Sequence, residues 1–278
     1  MNEALIYHGW RPERPHRPDF MGRTPEPYPA TRFFDQLCFI GDPGVACFLL
    51  ETREGLVLLD CMNPDQRSME IIETGIRRLG HAPEELTAIL ITHGHGDHWG
   101  MAGQFRARYG CRLYMSRTDY EFAAHLPDTF PWAPLDYAMD GYLEDMGRYT
   151  FGDTTITTVH TPGHTAGCMS FIIPVTDEGR PHAVALWGGT GILPDTDPDV
   201  YLGSLEKFRA VCDGLGADGE IATHPFVDNT IYRLELINHI VDGVPNPFVI
   251  GVEGRHYYED MFRALAERAK VVPPSFPG

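Results

Sequence analysis

His93-Gly94-His95-Gly96-Asp97-His98-Trp99-Gly100 is the most informative stretch of this 278-residue chain. It follows residues 86–92, an apolar run without polar alternation, which predicts a buried central strand. Four side chains that commonly bind metals therefore lie just past the end of a strand. In an extended backbone the first two histidines project to the same side, and the glycines let the chain turn so that Asp97 and His98 reach a second point nearby. The pattern predicts a metal site rather than a surface loop that happens to be rich in histidine.

The composition indicates a globular chain with a large core. Of the 278 residues 43% are hydrophobic, and α/β folds of this length are commonly one domain. The 22 Lys and Arg against 39 Asp and Glu give a net charge of −17, which argues against a nucleic-acid partner. Six cysteines without a C-x-x-C pair, no signal-peptide pattern and no membrane-length apolar run predict a cytoplasmic protein without a membrane partner.

The first half of the chain indicates antiparallel strands followed by alternating helices and strands. Residues 1–30 are rich in Pro and Arg and are interpreted as an N-terminal arm, and residues 31–278 as a single domain. Three short apolar segments between residues 33 and 60 predict a meander, with Asp60 ending its third strand. Asn63 is the expected N-cap of the next helix. Residues 119–149 lack a clean period and predict a lid-like insertion.

The second half repeats the alternation of strands and helices. Residues 161–167 form a tight turn after a strand, and another strand ends at Trp187 before two glycines. A short strand precedes His224, and residues 257–270 have the spacing of an amphipathic terminal helix. Two such halves suggest two sheets packed face to face with helices outside, which is a mixed α/β (α+β) fold.

Three motifs in this order resemble the metallo-β-lactamase superfamily: His93-x-His95-x-Asp97-His98 after a strand, Thr161-Pro162-Gly163-His164-Thr165, and Thr223-His224-Pro225. The resemblance covers roughly residues 33–240. It implies the four-layer αββα sandwich, with a metal site at one edge of the two sheets. The motifs are specific for the superfamily and say little about the substrate.

The resemblance also implies how a second metal is held. The family pattern places a bridging Asp or Cys after the strand that here ends at Trp187, where this chain has Gly188-Gly189-Thr190. Asp195 and Asp197 come several residues later, so the role is not transferred to them. The gap resembles the third subclass of metallo-β-lactamases, in which the second metal is bound by residues corresponding to Asp97, His98 and His224. An acid at Asp60 supports the metal-binding loop in this family.

The ligand chemistry favours two Zn²⁺ ions, although other divalent metals are possible. His93, His95 and His164 suit a tetrahedral zinc with one open position, and the second set suits another ion nearby. Metal lowers the pKa of bound water from about 15.7 towards 7 and so supplies hydroxide at neutral pH. Asp97 is the expected catalytic residue, which orients the nucleophile and passes its proton.

The leading hypothesis is a dinuclear zinc hydrolase that attacks the carbonyl of a small cyclic amide or ester. The alternative is a cytosolic thioesterase or lactonase of the same superfamily, and a remote one is a non-catalytic metal-binding scaffold. Trp99, Trp132 and Tyr137 are the candidates for substrate contact, with a core position as the other interpretation of Trp99. The sequence leaves the oligomeric state unknown.

Overall fold

The computed structural model describes residues 25–127, 130–194, 196–239, 243–272 and 274. Within these ranges the first sheet has seven strands in chain order. Neighbouring strands are antiparallel from β1 to β4 and parallel from β4 to β7. The seven strands are β1 (Tyr28–Arg32), β2 (Leu37–Gly41), β3 (Ala46–Thr52), β4 (Gly55–Leu59), β5 (Leu86–Leu90), β6 (Arg112–Ser116) and β7 (Gly141–Leu143).

Helices make the crossovers that parallel strands require. Between β4 and β5 the chain forms α1 (Gln66–Arg78) and a 3₁₀ turn (Pro83–Glu85). Between β5 and β6 it forms α2 (Gly96–Trp99) and α3 (Ala102–Tyr109). Helix α4 (Arg117–Ala124) precedes β7.

The second sheet has the strand order β12-β11-β10-β9-β8 in the described part of the chain. Its strands pair antiparallel, except that β12 runs parallel to β11. The elements of this half are β8 (Arg148–Phe151), β9 (Thr154–His160), β10 (Met169–Asp177), β11 (Arg180–Leu186), α5 (Pro198–Gly214), β12 (Gly219–Ile221), α6 (Thr230–Asn238) and α7 (Gly251–Val271).

Three buried apolar clusters bind these elements into four layers, α, β, β and α. Because side chains alternate along a strand, Leu49 of β3 faces the cluster under the first helices, whereas Phe48 faces the second sheet. Phe171 of β10 meets Phe48 in the cluster between the sheets. The third cluster joins Trp187 to the inner face of the last helix at Phe262. The expected αββα sandwich is confirmed.

Helix boundaries differ from the sequence expectation at two points. Helix α1 is capped by Asp65, whose carboxylate accepts a 2.7 Å hydrogen bond from the Ser68 N–H, so Asn63 is not the N-cap. The sequence also predicts one helix from near Asp97 to Tyr109, which the structure divides into α2 and α3 near Gly100. A Cβ atom at Gly100 would lie 2.2 Å from the backbone of Asn63, so this turn must be a glycine.

Two predicted segments are only partly described. Residues 1–24 of the expected arm lie outside the described residues, and β1 already begins within it at Tyr28. The range 119–149 holds the end of α4 and β7, so its irregular part is shorter than expected, and its role as a lid stays a prediction. No described helix combines the length and the apolar character needed to cross a bilayer.

Candidate metal centre

The loops after β4, β5, β9, β11 and β12 meet at one edge of the sandwich. Strands β4 and β5 run parallel, so their carboxyl ends lie at the same edge. The Met169 N–H of β10 donates to the Thr92 carbonyl at 2.8 Å, which fixes the second sheet beside the histidine loop. This edge holds all six of the predicted metal ligands.

Three imidazoles form the first ligand set. Nε2 of His164 lies 3.2 Å from Nε2 of His93 and 3.0 Å from Nδ1 of His95. His93 is 1% exposed and His95 8%. The structure thus brings together three residues from two distant loops.

A carboxylate and two imidazoles form the second ligand set. Oδ2 of Asp97 lies 3.6 Å from Nε2 of His98 and 3.7 Å from Nε2 of His224. Within each set the candidate ligand atoms all lie within 4.8 Å of one another. The two sets adjoin, since the rings of His93 and His98 are 3.9 Å apart.

Hydrogen bonds behind the rings determine which nitrogens face the centre. The Gly191 carbonyl accepts from Nδ1 of His164 at 2.7 Å, and the Gly44 carbonyl accepts from Nδ1 of His224 at 2.8 Å. Each Nε2 atom is therefore deprotonated and presents a lone pair to the centre. The lone pair on Nε2 of His164 lies at contact distance from ring nitrogens of His93 and His95, and lone pairs on such atoms repel one another unless a cation lies between them.

His98 provides the clearest test of whether the second ligand set fits a metal ion. Its Nδ1 atom is bonded to Asp60, and its buried Nε2 atom has no hydrogen-bond partner among the described residues. Buried polar atoms are rarely left without a partner. A divalent cation bound between His98, Asp97 and His224 would satisfy this atom, so the residues present fit a metal ion.

The pKa values agree with neutral imidazoles in the first set. Burial, reinforced by the neighbouring histidines, lowers the pKa of His164 to about 3 and holds the pKa of His93 well below its ordinary value. In His98 burial acts in the same direction, but the carboxylates of Asp97 and Asp60 outweigh it and raise the pKa. Neutral imidazole is the form that binds metal.

Asp60 supports the histidine loop from behind. The residue is fully buried, with a left-handed backbone at φ 61°. Its carboxylate accepts hydrogen bonds from the Thr92 N–H at 2.7 Å, from the Thr92 hydroxyl at 2.8 Å and from His98 at 2.7 Å. This is the position that the sequence interpretation gave to Asp60.

Asp119 is a positioning residue that the sequence analysis missed. Its buried carboxylate accepts from the Gly94 N–H at 2.8 Å, the Thr165 hydroxyl at 2.5 Å and the Gly167 N–H at 2.7 Å. It therefore ties the histidine loop to the loop that carries His164. One local signal in the sequence could have drawn attention to Asp119. Ser116, three residues earlier, is the N-cap of α4, and its hydroxyl accepts from the Asp119 N–H.

The two glycines after β11 are closely packed, and Gly189 lies directly against the first ligand set. A Cβ atom at Gly189 would lie 2.4 Å from Cβ of His164, and one at Gly188 would lie 2.0 Å from the Met169 carbonyl oxygen. These backbones have no room for side chains. Asp197, one of the later acids, instead caps α5 by accepting from the N–H groups of Asp199 and Val200. Asp195 lies outside the described residues.

A cavity of about 1460 Å³ opens over both ligand sets. Trp132 lines it, and its ring stands 5.7 Å from that of His95. Trp99 and Tyr137 are not among the residues that line it, so Trp99 takes the core position that was one of its two interpretations and the expected place of Tyr137 is corrected. Trp99 is 4% exposed and donates to the Gly94 carbonyl at 2.9 Å, and the Tyr137 hydroxyl donates to the Trp99 carbonyl at 3.1 Å. Both support the loop from within the fold.

Comparisons with known proteins agree with this architecture. Residues 40–177 match the model of a family described as the metallo-beta-lactamase superfamily. An N-acyl homoserine lactonase from a Bacillus species is 28% identical over 159 residues, which are 50% of this chain and 61% of that protein. The chain thus spans less than two thirds of this relative.

Solved structures share the fold over nearly the whole chain. A subclass B3 metallo-beta-lactamase of Bradyrhizobium japonicum has 25% identity and a TM-score of 0.77, covering 91% of this chain and 99% of that one. A class B3 di-zinc metallo-beta-lactamase from an Alaskan soil metagenome has 21% identity and a TM-score of 0.72, covering 91% and 97%. The resemblance that the three motifs suggested is confirmed.

Proposed function

Residues 40–177 of this chain match the metallo-beta-lactamase superfamily, and from that premise we propose that the chain is a dinuclear zinc hydrolase of cyclic amides or esters. The reaction adds water across an acyl–nitrogen or acyl–oxygen bond and yields a carboxylate with a free amine or hydroxyl. The observation that carries the proposal is the pair of adjoining three-residue ligand sets at the floor of one cavity.

The donor set supports zinc. Five imidazoles and one carboxylate, without thiolate, match the ligands that Zn²⁺ takes in hydrolytic sites. One protein that shares the fold is described as di-zinc. His93, His95 and His164 would hold one ion, and Asp97, His98 and His224 the other.

The residues around the centre have separate tasks in this reaction. When bound, zinc supplies hydroxide at neutral pH and polarises the scissile carbonyl. Asp97 lies between His98 and His224 and lines the cavity, so its carboxylate can orient the attacking water, accept its proton and return it to the leaving group. Trp132 covers His95 and limits the access of bulk water from that side.

The glycines after β11 favour a lactamase-like second site. A ligand on Gly188 or Gly189 would collide with Met169 or His164, so His224 takes the third position of the second set. A lactonase is the second candidate, because the Bacillus relative is an N-acyl homoserine lactonase. Both candidates open a ring at a carbonyl and differ in the leaving atom.

The test is a hydrolysis screen with zinc-loaded protein. We expect ring opening of β-lactams or of lactones, measured by absorbance or pH-stat, and a loss of at least about 100-fold in His164→Ala. The control is Glu178→Gln, which alters an exposed side chain and should keep full activity. Turnover of thioesters alone would support the thioesterase alternative and contradict the proposal. Turnover of none of the three substrate classes would also contradict the proposal.

A further inference from the structure

The turn between β2 and β3 reaches the second ligand set. Its Gly44 carbonyl accepts from Nδ1 of His224 at 2.8 Å. The Ala46 N–H donates to the Thr223 carbonyl, also at 2.8 Å, and so joins the same turn to the loop that carries His224. A carbonyl can only accept, so the Gly44 carbonyl keeps the proton of the neutral ring on Nδ1 and the lone pair on Nε2. The orientation of His224 therefore depends on one carbonyl in a neighbouring turn.

Asp42 fixes the direction of that carbonyl. Oδ1 of Asp42 accepts from the Gly44 N–H at 2.7 Å and from the Val45 N–H at 3.1 Å. The Val45 N–H and the Gly44 carbonyl belong to one planar peptide unit and point in opposite directions. The bond from Val45 to Asp42 on one side of this unit therefore aims the carbonyl on its other side at His224.

Arg67 provides the cationic partner of Asp42. Its Nη1 atom lies 2.7 Å from Oδ2 of Asp42, and its Nη2 atom donates to the Pro25 carbonyl. Asp42 is only 3% exposed, so its negative charge is largely removed from water and requires a partner. Arg67 lies in the first turn of α1, directly after the Asp65 cap, which holds its backbone in place. The carboxylate thus joins α1 to the turn.

We propose that Asp42 and Arg67 are positioning residues for the second metal ion, acting on His224 through the Gly44 carbonyl. This inference rests on the proposed function in one respect, because it assumes that the second ligand set binds an ion. Without the guanidinium group, Asp42 would keep a buried and unpaired charge, which favours rotation of the carboxylate towards the cavity that it lines. The Val45 N–H would then lose its acceptor, and the Gly44 carbonyl would no longer be held against His224.

A purely structural role for the ion pair would give different results. In that interpretation the pair only joins the turn to α1, and its loss lowers the stability of the fold and the affinity for both ions alike. The positioning role instead predicts a loss confined to the second ion, together with a change in the His224 ring. The experiments measure these two quantities separately.

Arg67→Met is the principal variant, and Arg77→Met on the same helix is its control, since Arg77 pairs with Glu73 at an exposed position. Chelator competition on the full-length protein should show the second zinc bound about 10–100-fold more weakly in Arg67→Met. The first ion, and both ions in Arg77→Met, should be bound normally. Arg67→Lys keeps a charge beside Asp42 and should bind the second ion more tightly than Arg67→Met. Equal second-ion affinity in Arg67→Met and the wild type would overturn the inference.

NMR of the metal-free protein with ¹⁵N-labelled histidine reports the ring of His224 directly. Its signals are identified by their absence in His224→Gln. We expect the Nδ1–H tautomer in the wild type and in Arg77→Met, and a mixture with the Nε2–H tautomer in Arg67→Met. His164 is the internal control, because its Nδ1 atom donates to the Gly191 carbonyl and should do so in every variant. An unchanged His224 tautomer in Arg67→Met would overturn the inference.

A double variant tests whether the effect passes through Asp42. Asp42→Asn combined with Arg67→Met removes the buried charge together with its partner. The amide oxygen can still accept from the N–H groups of Gly44 and Val45, so second-ion affinity should return to within about threefold of the wild type. This variant leaves no charge unpaired, so it keeps the test decisive where Arg67→Met is too unstable to measure. Binding as weak as in Asp42→Ala, which lacks the acceptor, would contradict the assignment.

These measurements also separate the inference from the proposed hydrolysis, because neither of them uses turnover. A His224 tautomer that responds to Arg67→Met and recovers in the double variant supports the inference even if the wild-type protein opens no ring. A tautomer that does not respond overturns the inference, whether or not the hydrolysis screen succeeds. Binding of a single ion by the wild-type protein would contradict both proposals.

Discussion

Oδ2 of Asp60 lies 2.7 Å from Nδ1 of His98, and neither side chain exposes more than 1% of its surface. The same carboxylate binds Thr92 through its N–H and its hydroxyl. Asp60 therefore fixes both the path of the histidine loop and the protonated nitrogen of His98. The orientation of the second ligand set depends on a residue outside that set.

Asp60→Asn is expected to weaken metal binding by about 10–100-fold. The amide keeps the shape of the carboxylate but cannot accept from both Thr92 and His98, so one buried donor loses its partner. Competition with a chromogenic chelator measures the affinity. Asp153→Asn, at a half-exposed ion pair, is the control and should bind metal normally. An unchanged metal affinity in Asp60→Asn would show that Asp60 only stabilises the turn after β4.

His224→Ala is expected to reduce the zinc content of the loaded protein from about two ions per chain to about one. His93, His95 and His164 remain complete, whereas Asp97 and His98 alone form an incomplete site. Elemental analysis after removal of free zinc gives the stoichiometry. Asp197→Asn should retain both ions, because that carboxylate caps α5. Two ions in His224→Ala would show that the second set is held differently.

Gly189→Asp should expel the first ion instead of adding a bridging ligand. Its Cβ atom would stand 2.4 Å from Cβ of His164, so the histidine ring must move. We expect lower thermal stability and loss of one zinc, measured by calorimetry and elemental analysis. Gly203→Ala meets open space in α5 and should keep both ions, with a stability gain of about 0.5–1 kcal/mol. Tighter zinc binding in Gly189→Asp would be the contrary result.

Asp119→Asn is expected to destabilise the metal-free protein by about 1–3 kcal/mol and also to weaken zinc binding at the first set. The amide nitrogen would face the N–H of Gly94 or of Gly167, so one of the two loops is released. Urea unfolding of the metal-free protein and chelator competition measure the two effects. A loss of stability with normal zinc affinity would mean that Asp119 does not position His93 and His164.

Glu220→Gln is expected to stabilise the protein at neutral pH. Burial, helped by the carboxylate of Glu259, raises the pKa of Glu220 well above 4.5, and its Oε2 atom has no hydrogen-bond partner within the described ranges. Above pH 4.5 the unfolded chain therefore releases a proton that the folded chain retains, so folding stability falls as the pH rises.

The advantage of Glu220→Gln over the wild type should accordingly grow between pH 4 and pH 8. Melting temperatures across this range give the comparison. Glu178→Gln, which changes an exposed carboxylate, should follow the wild-type curve. A difference between Glu220→Gln and the wild type that does not vary with pH would contradict the assignment.

Local sequence signals predicted which side chains lie together at this edge, because histidine spacing after a strand leaves few geometric choices. The six ligand candidates and Asp60 lie together as the motifs implied. Residues whose role depends on contacts between distant parts of the chain could not be identified from local spacing. Asp119 bonds to Gly167, 48 residues later, and no local spacing indicates that contact.

Aromatic residues near the motif were harder to place. Trp99 follows the ligand loop directly, yet α2 turns its ring towards the core, where the Gly94 carbonyl accepts its indole N–H. Trp132, much farther along the chain, reaches the cavity. Proximity in sequence therefore predicted the grouping of the candidate metal ligands, but it did not predict the lining of the cavity, which depends on tertiary packing.

Both ligand sets draw on residues that are synthesised far apart in time. The loop at 93–98 leaves the ribosome early, His164 follows much later, and His224 belongs to the last fifth of the chain. Synthesis from the N-terminus cannot complete the second set until residue 224 has been made. Under the proposed function, a nascent chain that ends before His224 is inactive, and binding of the second ion reports that the segment carrying His224 has folded onto the rest.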